Sequence, residues 1–359
     1  MTDRAKLGWP GQISAEIITL AFLTTIQNPS LNFASAGDLC TPISNSSLFY
    51  CSQLEADIKT CQQEHGKSIV LSIGGATYSE GGFSNASIAT SAANNIWSIF
   101  GPIVPGRNVF RPFGSSVIDG FDFDFESNVQ NMIPFANQLR SLMDADMVST
   151  GKQWLLTAAP QCPYPDAADG PMLAGKVHFD AIWVQFYNNY CGVQSFIPGA
   201  STQNNFNFDT WNTWAKNVSL NPNVKVFLGI PGASGAGSGY TSGSKLASAI
   251  SYCKGFPSFG GVMIWDMSQV WANSGFLDSV TEDLGGYTPS PSTTSFTSPA
   301  TLTTKTTPPT ITTSPPSTTS SPGLLGQWAQ CGGQGYSGPI VCHPPYKCVA
   351  LSVWWSQCE

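Results

Sequence analysis

The first 287 residues alternate between short apolar runs, rich in β-forming residues, and longer stretches with helical patterns. Near-continuous hydrophobic strands separated by helices predict a parallel sheet that helices cover on its outside. Most runs end in small or polar residues, so functional side chains are expected at the carboxyl ends of the strands. The predicted strands span residues 15–23, 68–75, 117–126, 153–160, 180–187, 224–231 and 260–267.

This order of strands and helices predicts an α/β fold of the (β/α)8 TIM barrel type, apparently lacking its first strand. A closed barrel of this type needs eight strands, and residues 1–13 do not resemble another buried strand. An open barrel would leave unpaired backbone groups at the outer edges of strands 15–23 and 260–267.

Composition divides the rest of the chain. In residues 288–322, 30 of 35 residues are Ser, Thr or Pro, which predicts an extended linker, O-glycosylated or bare. The predicted domains are therefore 1–287, the linker 288–322 and a small module at 323–359. Four of the ten cysteines fall in the last thirty residues, which indicates a disulfide-stapled module from an oxidising compartment.

Charge narrows the possible partners. The formal net charge is −7 and the pI about 4.9, which argues against nucleic acid or an anionic membrane as a partner. Aromatic residues make up 12% and charged residues 10%, as suits a neutral, ring-shaped ligand such as a sugar, although a large core has a similar composition.

The two ends of the chain indicate different cellular locations. The first twelve residues contain no apolar signal-peptide segment, whereas the clustered cysteines and the acceptor sequons at Asn45, Asn85 and Asn217 indicate secretion. We therefore expect an extracellular or cell-wall protein.

The stretch DGFDFDFES, residues 119–127, alternates acids with phenylalanines. On a strand, Asp122, Asp124 and Glu126 share one face and the phenylalanines the other. Crowded carboxylates cannot all ionise, so at least one pKa rises, and a protonated Glu126 at the strand end suits general acid catalysis. The alternatives are a solvated acidic strand and a cation site made of carboxylate oxygens.

No metal or other cofactor is expected. His65, His178 and His343 show no metal-ligand spacing, and neither a nucleophile–histidine arrangement nor a phosphate-binding glycine loop is apparent. Asp119, of opposite parity to the other acids, is expected to shape the strand start.

The segment DGFDFDFE resembles the DGxDxDxE signature of family 18 glycoside hydrolases, specifically the class III chitinases. SIGG at 72–75 matches their SxGG motif, and TAAPQCPYPD, WVQFYNN and GGVMIWD look like their later strand ends, in the same order. The resemblance implies an endo-type enzyme that hydrolyses β-1,4 bonds between N-acetylglucosamine units of chitin. The implied mechanism is retaining and substrate-assisted, an exception to the two-carboxylate scheme.

The resemblance also implies residue roles. Glu126 would protonate the glycosidic oxygen, and the substrate's own N-acetyl carbonyl oxygen would act as nucleophile. Asp124 would hold the acetamido N–H, and Asp122 would share a hydrogen bond with Asp124.

Four further residues complete the implied site. Tyr187 would donate its hydroxyl to the acetamido group, with Gln185 beside it, while Trp265 forms an apolar floor. Gly75 of the SxGG motif is counted with the substrate-binding residues. Tyr187 and Gln185 could instead be polar residues of any barrel mouth, and Trp265 could be a core residue.

Class III chitinases begin with a strand carrying a YWGQ-like motif, which is missing here. By resemblance Cys40 pairs with Cys51 and Cys162 with Cys191, while Cys61 and Cys253 remain unassigned. One explanation is an incomplete gene model whose true start includes a signal peptide and the first strand, and it is preferred because every later motif is intact. The other is a short isoform that is unstable or inactive.

Residues 327–359 resemble a fungal family 1 carbohydrate-binding module in their cysteine spacing and in their CGG, GYSGP and SQC segments. Four cysteines allow three pairings, and the family pattern implies Cys331–Cys348 and Cys342–Cys358. Trp328, Trp354 and Trp355 occupy the aromatic positions of the family's flat face, which binds cellulose and often chitin. Alternatively, these tryptophans form the small module's core. Ser352 replaces the usual Asn before the aromatic pair.

Two other functions stay open. A non-catalytic chitin- or cellulose-binding protein would fit an incomplete barrel, although its expected signature, a replaced acid in the motif, is absent. An endo-β-N-acetylglucosaminidase acting on N-glycans shares the acidic motif, but an anchor for crystalline polysaccharide does not suit it. The protein is expected to be a monomer.

Overall fold

The computed structural model describes residues 16–33, 40–43, 46–285, 324–325, 330–332, 339–350 and 356–358. The chain divides into two compact units, Met1–Ser292 and Thr293–Glu359. Since residues 286–323 lie outside the described residues, the predicted boundaries at 287 and 322 stay predictions. In the part of the chain that is described, no helix is long and apolar enough to cross a bilayer.

The first unit is built on one sheet whose seven parallel strands match the seven predicted runs. Each predicted run contains most of an observed strand, and the ends differ by at most three residues. These strands are β1 (Ile17–Thr25), β5 (Ser68–Gly74), β6 (Gly120–Asp124), β7 (Leu155–Ala158), β8 (Ala181–Gln185), β9 (Lys225–Pro231) and β10 (Phe259–Trp265). Three shorter strands are β2 (Ser30–Leu31), β3 (Thr41–Pro42) and β4 (Phe49–Tyr50), of which β3 and β4 form a hairpin.

Helices connect the parallel strands, as the alternating pattern predicts. The connecting helices are α1 (Ser52–Gln63), α2 (Ala86–Phe100), α3 (Met132–Thr150), α4 (Gly170–Leu173), α5 (Phe208–Asn217) and α6 (Gly243–Lys254), and α7 (Met267–Ala272) and α8 (Phe276–Asp283) follow β10. Helix α2 begins at the N-cap Asn85, whose side chain accepts a hydrogen bond from Ile88 N. Helix α3 ends at Gly151 in the left-handed conformation, which glycine adopts without steric cost.

The barrel is open. The strand order is β10-β9-β8-β7-β6-β5-β1-β2, and among the described strands β1 does not pair with β10. The prediction that the outer edge of β1 is unpaired is wrong at its carboxyl end. After Thr25 the chain turns back, and β2 pairs antiparallel there, with mutual backbone hydrogen bonds of 2.9 and 3.0 Å between Phe22 and Asn32.

The main core lies between the sheet and its helices. Phe121, Phe123 and Phe125 are buried and point away from the barrel interior, as the alternating motif predicts. The Phe123 ring lies 5.9 Å from that of Phe135 in α3, and the Phe121 ring lies 6.5 Å from that of Trp97 in α2. One face of β6 is therefore used for packing, which leaves the other face for chemistry.

The second unit contains three short strands, β11 (Gln330–Gly332), β12 (Cys348–Ala350) and β13 (Ser356–Cys358), in the order β11-β13-β12. Trp328, Trp354 and Trp355 lie outside the described residues.

All four implied disulfides are confirmed. They are Cys40–Cys51, Cys162–Cys191, Cys331–Cys348 and Cys342–Cys358. Cys253 is a buried thiol on α6, while Cys61 lies half-buried on α1, and no disulfide joins these two residues.

Candidate active site

Three register partners in adjacent strands place Asp122 in the barrel interior. Ser72 of β5 lies opposite Asp122 of β6, which in turn lies opposite Thr157 of β7. Ser72 Oγ donates a hydrogen bond of 2.7 Å to one carboxyl oxygen of Asp122, and Thr157 Oγ1 donates one of 2.6 Å to the other. Burial nevertheless raises the pKa of Asp122, and these hydrogen bonds partly oppose the rise.

Asp124, one layer closer to the carboxyl end of β6, is buried and receives a 3.0 Å hydrogen bond from Gln185 Nε2. Burial is the largest cause that raises the pKa of Asp124 well above its usual value, followed by the charges of Glu126 and Asp122. Two charges in this row would repel each other in a site with little water, so Asp124 holds a proton readily.

Glu126 lies just beyond the end of β6, exposed at the mouth of the barrel. Its pKa is raised, and the cause is desolvation by the surrounding protein. The following loop is fixed to the loop after β5, because Gln130 N donates to Gly81 O and Phe83 N donates to Gln130 O, at 2.9 and 2.8 Å. The carboxyl group of Glu126, whose pKa is raised, therefore lies on a loop that backbone hydrogen bonds hold in place.

Tyr187, two residues beyond β8, is buried beside these acids. The pKa of its hydroxyl is raised well above the usual value, first by burial and then by the charges of Asp124 and Glu126. The hydroxyl therefore stays protonated and can act as a hydrogen-bond donor. The structure thus brings together Asp122, Asp124, Glu126, Gln185 and Tyr187, and their predicted roles stay predictions.

The structure adds contacts around two predicted roles, which stay predictions. Ser72 and Thr157 each donate a hydrogen bond to a different oxygen of Asp122, whose predicted hydrogen bond with Asp124 stays a prediction. Gln185 Nε2 donates both to Asp124 and to the Ala159 carbonyl, the latter at 2.8 Å, and its predicted contact with substrate stays a prediction. Gln185 therefore orients Asp124.

Trp265 ends β10 on the far side of the site and is half-buried. Its ring centroid lies 5.6 Å from that of Phe22 in β1. The contact crosses the open seam, the gap between strands β1 and β10, which do not pair with each other. Phe22 was missed because it lies within an otherwise ordinary apolar run, and no sequence pattern indicates a contact across the seam.

Gly75 supports both sides of the site. Its N–H donates a 2.7 Å hydrogen bond to the Asp124 carbonyl, and its φ is +79°. A Cβ at this position would lie 2.9 Å from the Phe22 ring, so only glycine lets that ring approach. The predicted role in substrate binding stays a prediction, whereas a packing role is evident.

A second carboxyl pair lies in the loop after β7 and was not predicted. The side chain of Asp166 accepts hydrogen bonds from the N–H groups of Gln161, Ala168 and Asp169. Asp169 is 0% exposed, and neither of its carboxyl oxygens has a hydrogen-bond partner among the described residues. Burial, and then the charges of Asp166, Asp124 and Asp122, raise the pKa of Asp169 well above its usual value.

Asp119 shapes the start of β6, as predicted. Its side chain accepts hydrogen bonds of 2.8 Å from Ile69 N and 2.7 Å from Lys152 Nζ, away from the acidic row. Among the described residues, the metal-ligating side chains that converge closely enough for an ion are Cys331, Cys342 and Cys358, whose sulfurs belong to disulfides.

The family model described as Glycosyl hydrolases family 18 matches residues 11–242, and the model described as Fungal cellulose binding domain matches residues 327–358. Endochitinase 33 of Trichoderma harzianum is 52% identical over 269 residues, covering 75% of this chain and 82% of the relative. A class III chitinase of Arthroderma benhamiae is 51% identical over 271 residues, covering 74% and 81%. The solved structure of the ICChI chitinase from Ipomoea carnea is 28% identical with a TM-score of 0.59, covering 75% of this chain and 90% of that one.

Proposed function

The chain belongs to family 18 of the glycosyl hydrolases, and we propose that it is an endo-type chitinase. It would cleave β-1,4 bonds between N-acetylglucosamine units by a retaining, substrate-assisted mechanism. The observation that carries the proposal is the row formed by the buried Asp122 and Asp124 of β6 and by the exposed Glu126 just beyond the end of this strand. The similarity to two fungal chitinases above 50% identity supports the choice of substrate.

Glu126 acts first as general acid. Desolvation raises its pKa, which favours the protonated carboxyl group at the mouth of the site, where the glycosidic oxygen arrives. Proton transfer to that oxygen releases the leaving sugar, while the N-acetyl carbonyl oxygen of the substrate attacks the anomeric carbon. The resulting oxazolinium ring is opened by water, which gives its proton to the Glu126 carboxylate and restores the acid.

Asp124 and Tyr187 handle the acetamido group. A carboxyl oxygen of Asp124 accepts the acetamido N–H and stabilises the positive charge that develops on the ring. The buried Tyr187 hydroxyl donates to the acetamido group, so the attacking oxygen is held near the anomeric carbon. Asp122, fixed by Ser72 and Thr157, places its carboxyl group beside Asp124, and its charge raises the pKa of Asp124.

The apolar floor would be shared by Trp265 and Phe22. Their tilted rings offer flat apolar surface on which the distorted sugar can rest without losing hydrogen bonds. The alternative reading of Trp265 as a pure core residue fits its half-exposed state less well.

The small C-terminal module would hold the enzyme on insoluble polysaccharide. The match to a fungal cellulose binding domain supports binding to cellulose or chitin, with Trp328, Trp354 and Trp355 as the stacking residues. Tethering raises the local concentration of substrate at the catalytic unit. We infer that the protein acts outside the cell, which its four disulfides support, and that it is a monomer.

The test is release of soluble oligosaccharide from colloidal chitin by the full chain and by Glu126→Gln. Gln keeps the size of the side chain but cannot donate the acidic proton, so activity is expected to fall by at least about 10³-fold. Glu64→Gln, the same change at an exposed position on the surface, serves as the matched control and should match the parent.

If neither the parent nor Glu126→Gln releases product but both bind chitin, the protein is a binding protein and the proposal fails. If both release product equally, catalysis occurs but Glu126 is not the acid. An enzyme that cleaves N-glycans in preference to chitin oligosaccharides would favour the endo-β-N-acetylglucosaminidase alternative.

A further inference from the structure

Two exposed tyrosines lie on neighbouring loops beyond the proposed catalytic group. Tyr190 follows β8 and is 64% exposed, and Tyr164 follows β7 and is 40% exposed. Both loops leave the carboxyl end of the sheet, where Gln185 and Tyr187 lie. Tyr190 lies three positions after Tyr187, a span of at most about 11 Å, so it lies within reach of a ligand that extends from the site.

The backbone on both sides of Tyr190 is fixed. The next residue forms the Cys162–Cys191 disulfide, which joins the two loops. The preceding residue, Asn189, donates a 2.9 Å hydrogen bond from Nδ2 to Gln161 Oε1, and its carbonyl accepts one of 2.9 Å from Gln194. A large apolar ring held in solvent on a fixed backbone loses little conformational entropy when a ligand covers it.

Tyr164 is held differently. Its ring meets the edge of the Trp211 ring at a centroid distance of 5.2 Å, and the indole N–H of the buried Trp211 donates a 3.0 Å hydrogen bond to the Cys162 carbonyl. Part of the Tyr164 ring is therefore used in packing, and the remainder faces solvent. This ring offers a smaller free surface than Tyr190 does.

The chain segment that carries Tyr190 is itself uncharged, and Lys245 of α6 donates a hydrogen bond from Nζ to the Gln194 carbonyl of this segment. Residues 181–208 contain no Asp, Glu, Lys or Arg, whereas amide side chains occur at Asn188, Asn189, Gln194 and Gln203. An ionic ligand would find no opposite charge in this stretch. A neutral ligand with flat apolar faces and amide or hydroxyl edges is complementary to it, and a pyranose ring with an N-acetyl group has both features.

We propose that Tyr190 is the stacking residue of an additional sugar subsite, which binds an N-acetylglucosamine unit of the polymer away from the cleaved bond. Tyr164 extends the same surface with a smaller contribution. The choice of ligand rests on the proposed function, while the existence of a binding surface rests on the exposed, fixed ring.

The test is the dependence of kcat and KM on substrate length, with soluble N-acetylglucosamine oligomers from the trimer to the hexamer. Tyr190→Ala is expected to lower kcat/KM for the hexamer by about 5- to 10-fold, mainly through KM, and to leave the shortest cleaved oligomer unchanged. Tyr190→Phe keeps the ring and should behave as the parent. Phe110→Ala removes another exposed aromatic ring, 37% exposed, from the segment before β6 at the opposite end of the sheet, and is the control.

A second readout does not need catalysis. In the Glu126→Gln background, Tyr190→Ala should weaken binding of the hexamer by a similar factor, and the C-terminal module contributes equally to both proteins. A loss in kcat/KM that is equal for all oligomers would mean that Tyr190 has only a structural role. The absence of any loss in both readouts would rule out the proposed subsite. A parent that binds the hexamer but cleaves nothing overturns the proposed function and leaves the subsite to be decided by binding.

Discussion

Strands β6 and β10 belong to one sheet and both end at the proposed site, but they are held in different ways. Strand β6 pairs with β5 and β7, and all five of its residues are buried. Strand β10 pairs with β9 and with no other described strand, and its residues are half-buried or exposed. The closed side of the barrel thus excludes water from Asp122 and Asp124, whereas the open seam leaves Trp265 partly exposed to solvent.

The contacts of the site residues are also more rigid on the closed side than across the open seam. Hydrogen bonds of 2.6 to 3.0 Å fix Asp122 and Asp124 in direction as well as in position. Across the seam, Trp265 meets Phe22 through a tilted ring contact, which tolerates small shifts. The comparison indicates that the acids are preorganised for charge stabilisation, while the floor can adapt to a sugar that changes shape.

The largest expected effect is on the closed side. Asp124→Asn keeps the oxygen that accepts from Gln185 but removes the carboxylate that stabilises developing charge, so kcat should fall by about 10² to 10³-fold. The measurement is kcat on a soluble chitin oligomer, with circular dichroism to check the fold. Asp278→Asn, an exposed position on α8, is the control and should retain parental activity. A decrease of threefold or less for Asp124→Asn would argue against a charged role for this residue.

The second prediction compares packing on the two sides with one substitution. Val184 in β8 is 0% exposed, and Val262 in β10 is half-buried, although both face the main core. Val184→Ala should reduce the free energy of unfolding by about 1.5 to 3 kcal/mol, because it removes buried methyl groups and leaves a cavity. Val262→Ala should cost less than about 1 kcal/mol, since water and neighbouring side chains can fill the space. The free energies of unfolding of both variants are measured from the urea-induced unfolding transition of the catalytic unit. Equal losses of stability would mean that the open side of the barrel is packed as tightly as the closed side.

Much of this comparison follows from the sequence, and its limits have physical causes. The apolar runs predicted all seven parallel strands, and the alternation of acids and phenylalanines predicted which face of β6 carries the acids. Periodicity says which face a side chain takes but not which residue lies opposite on the next strand. The bonds from Ser72 and Thr157 to Asp122, and the Phe22–Trp265 contact, therefore needed the structure.

The short strand β2 and the second carboxyl pair were missed for related reasons. A two-residue strand has too few positions to show a period, and its pairing depends on the turn that returns the chain to β1. Asp169 lies in a loop that reads as polar, and loops are normally exposed. Its complete burial depends on how this loop folds against the strand ends, which local sequence does not encode.

The third prediction concerns the energetic cost of placing acids on the closed side, where Asp166, Asp124 and Asp122 face Asp169. Residues 259–265 of β10, by contrast, contain no ionisable side chain. Since folding raises the pKa of Asp169, the unfolded chain binds fewer protons than the folded chain between the two pKa values. Stability is therefore expected to decrease as the pH rises above the unfolded value near 3.9 and approaches the raised value.

Asp169→Asn removes this titration while keeping the shape of the side chain. The melting temperature of Asp169→Asn should equal that of the parent near pH 4 and exceed it by a few degrees at pH 7, as a difference of about 1 kcal/mol produces in a domain of this size. Asp278→Asn, on the exposed surface of α8, controls for the loss of one charge. A difference between Asp169→Asn and the parent that does not change with pH would mean that Asp169 has the same protonation in the folded and unfolded chains, and the closed side would then carry its acids without a pH-dependent cost.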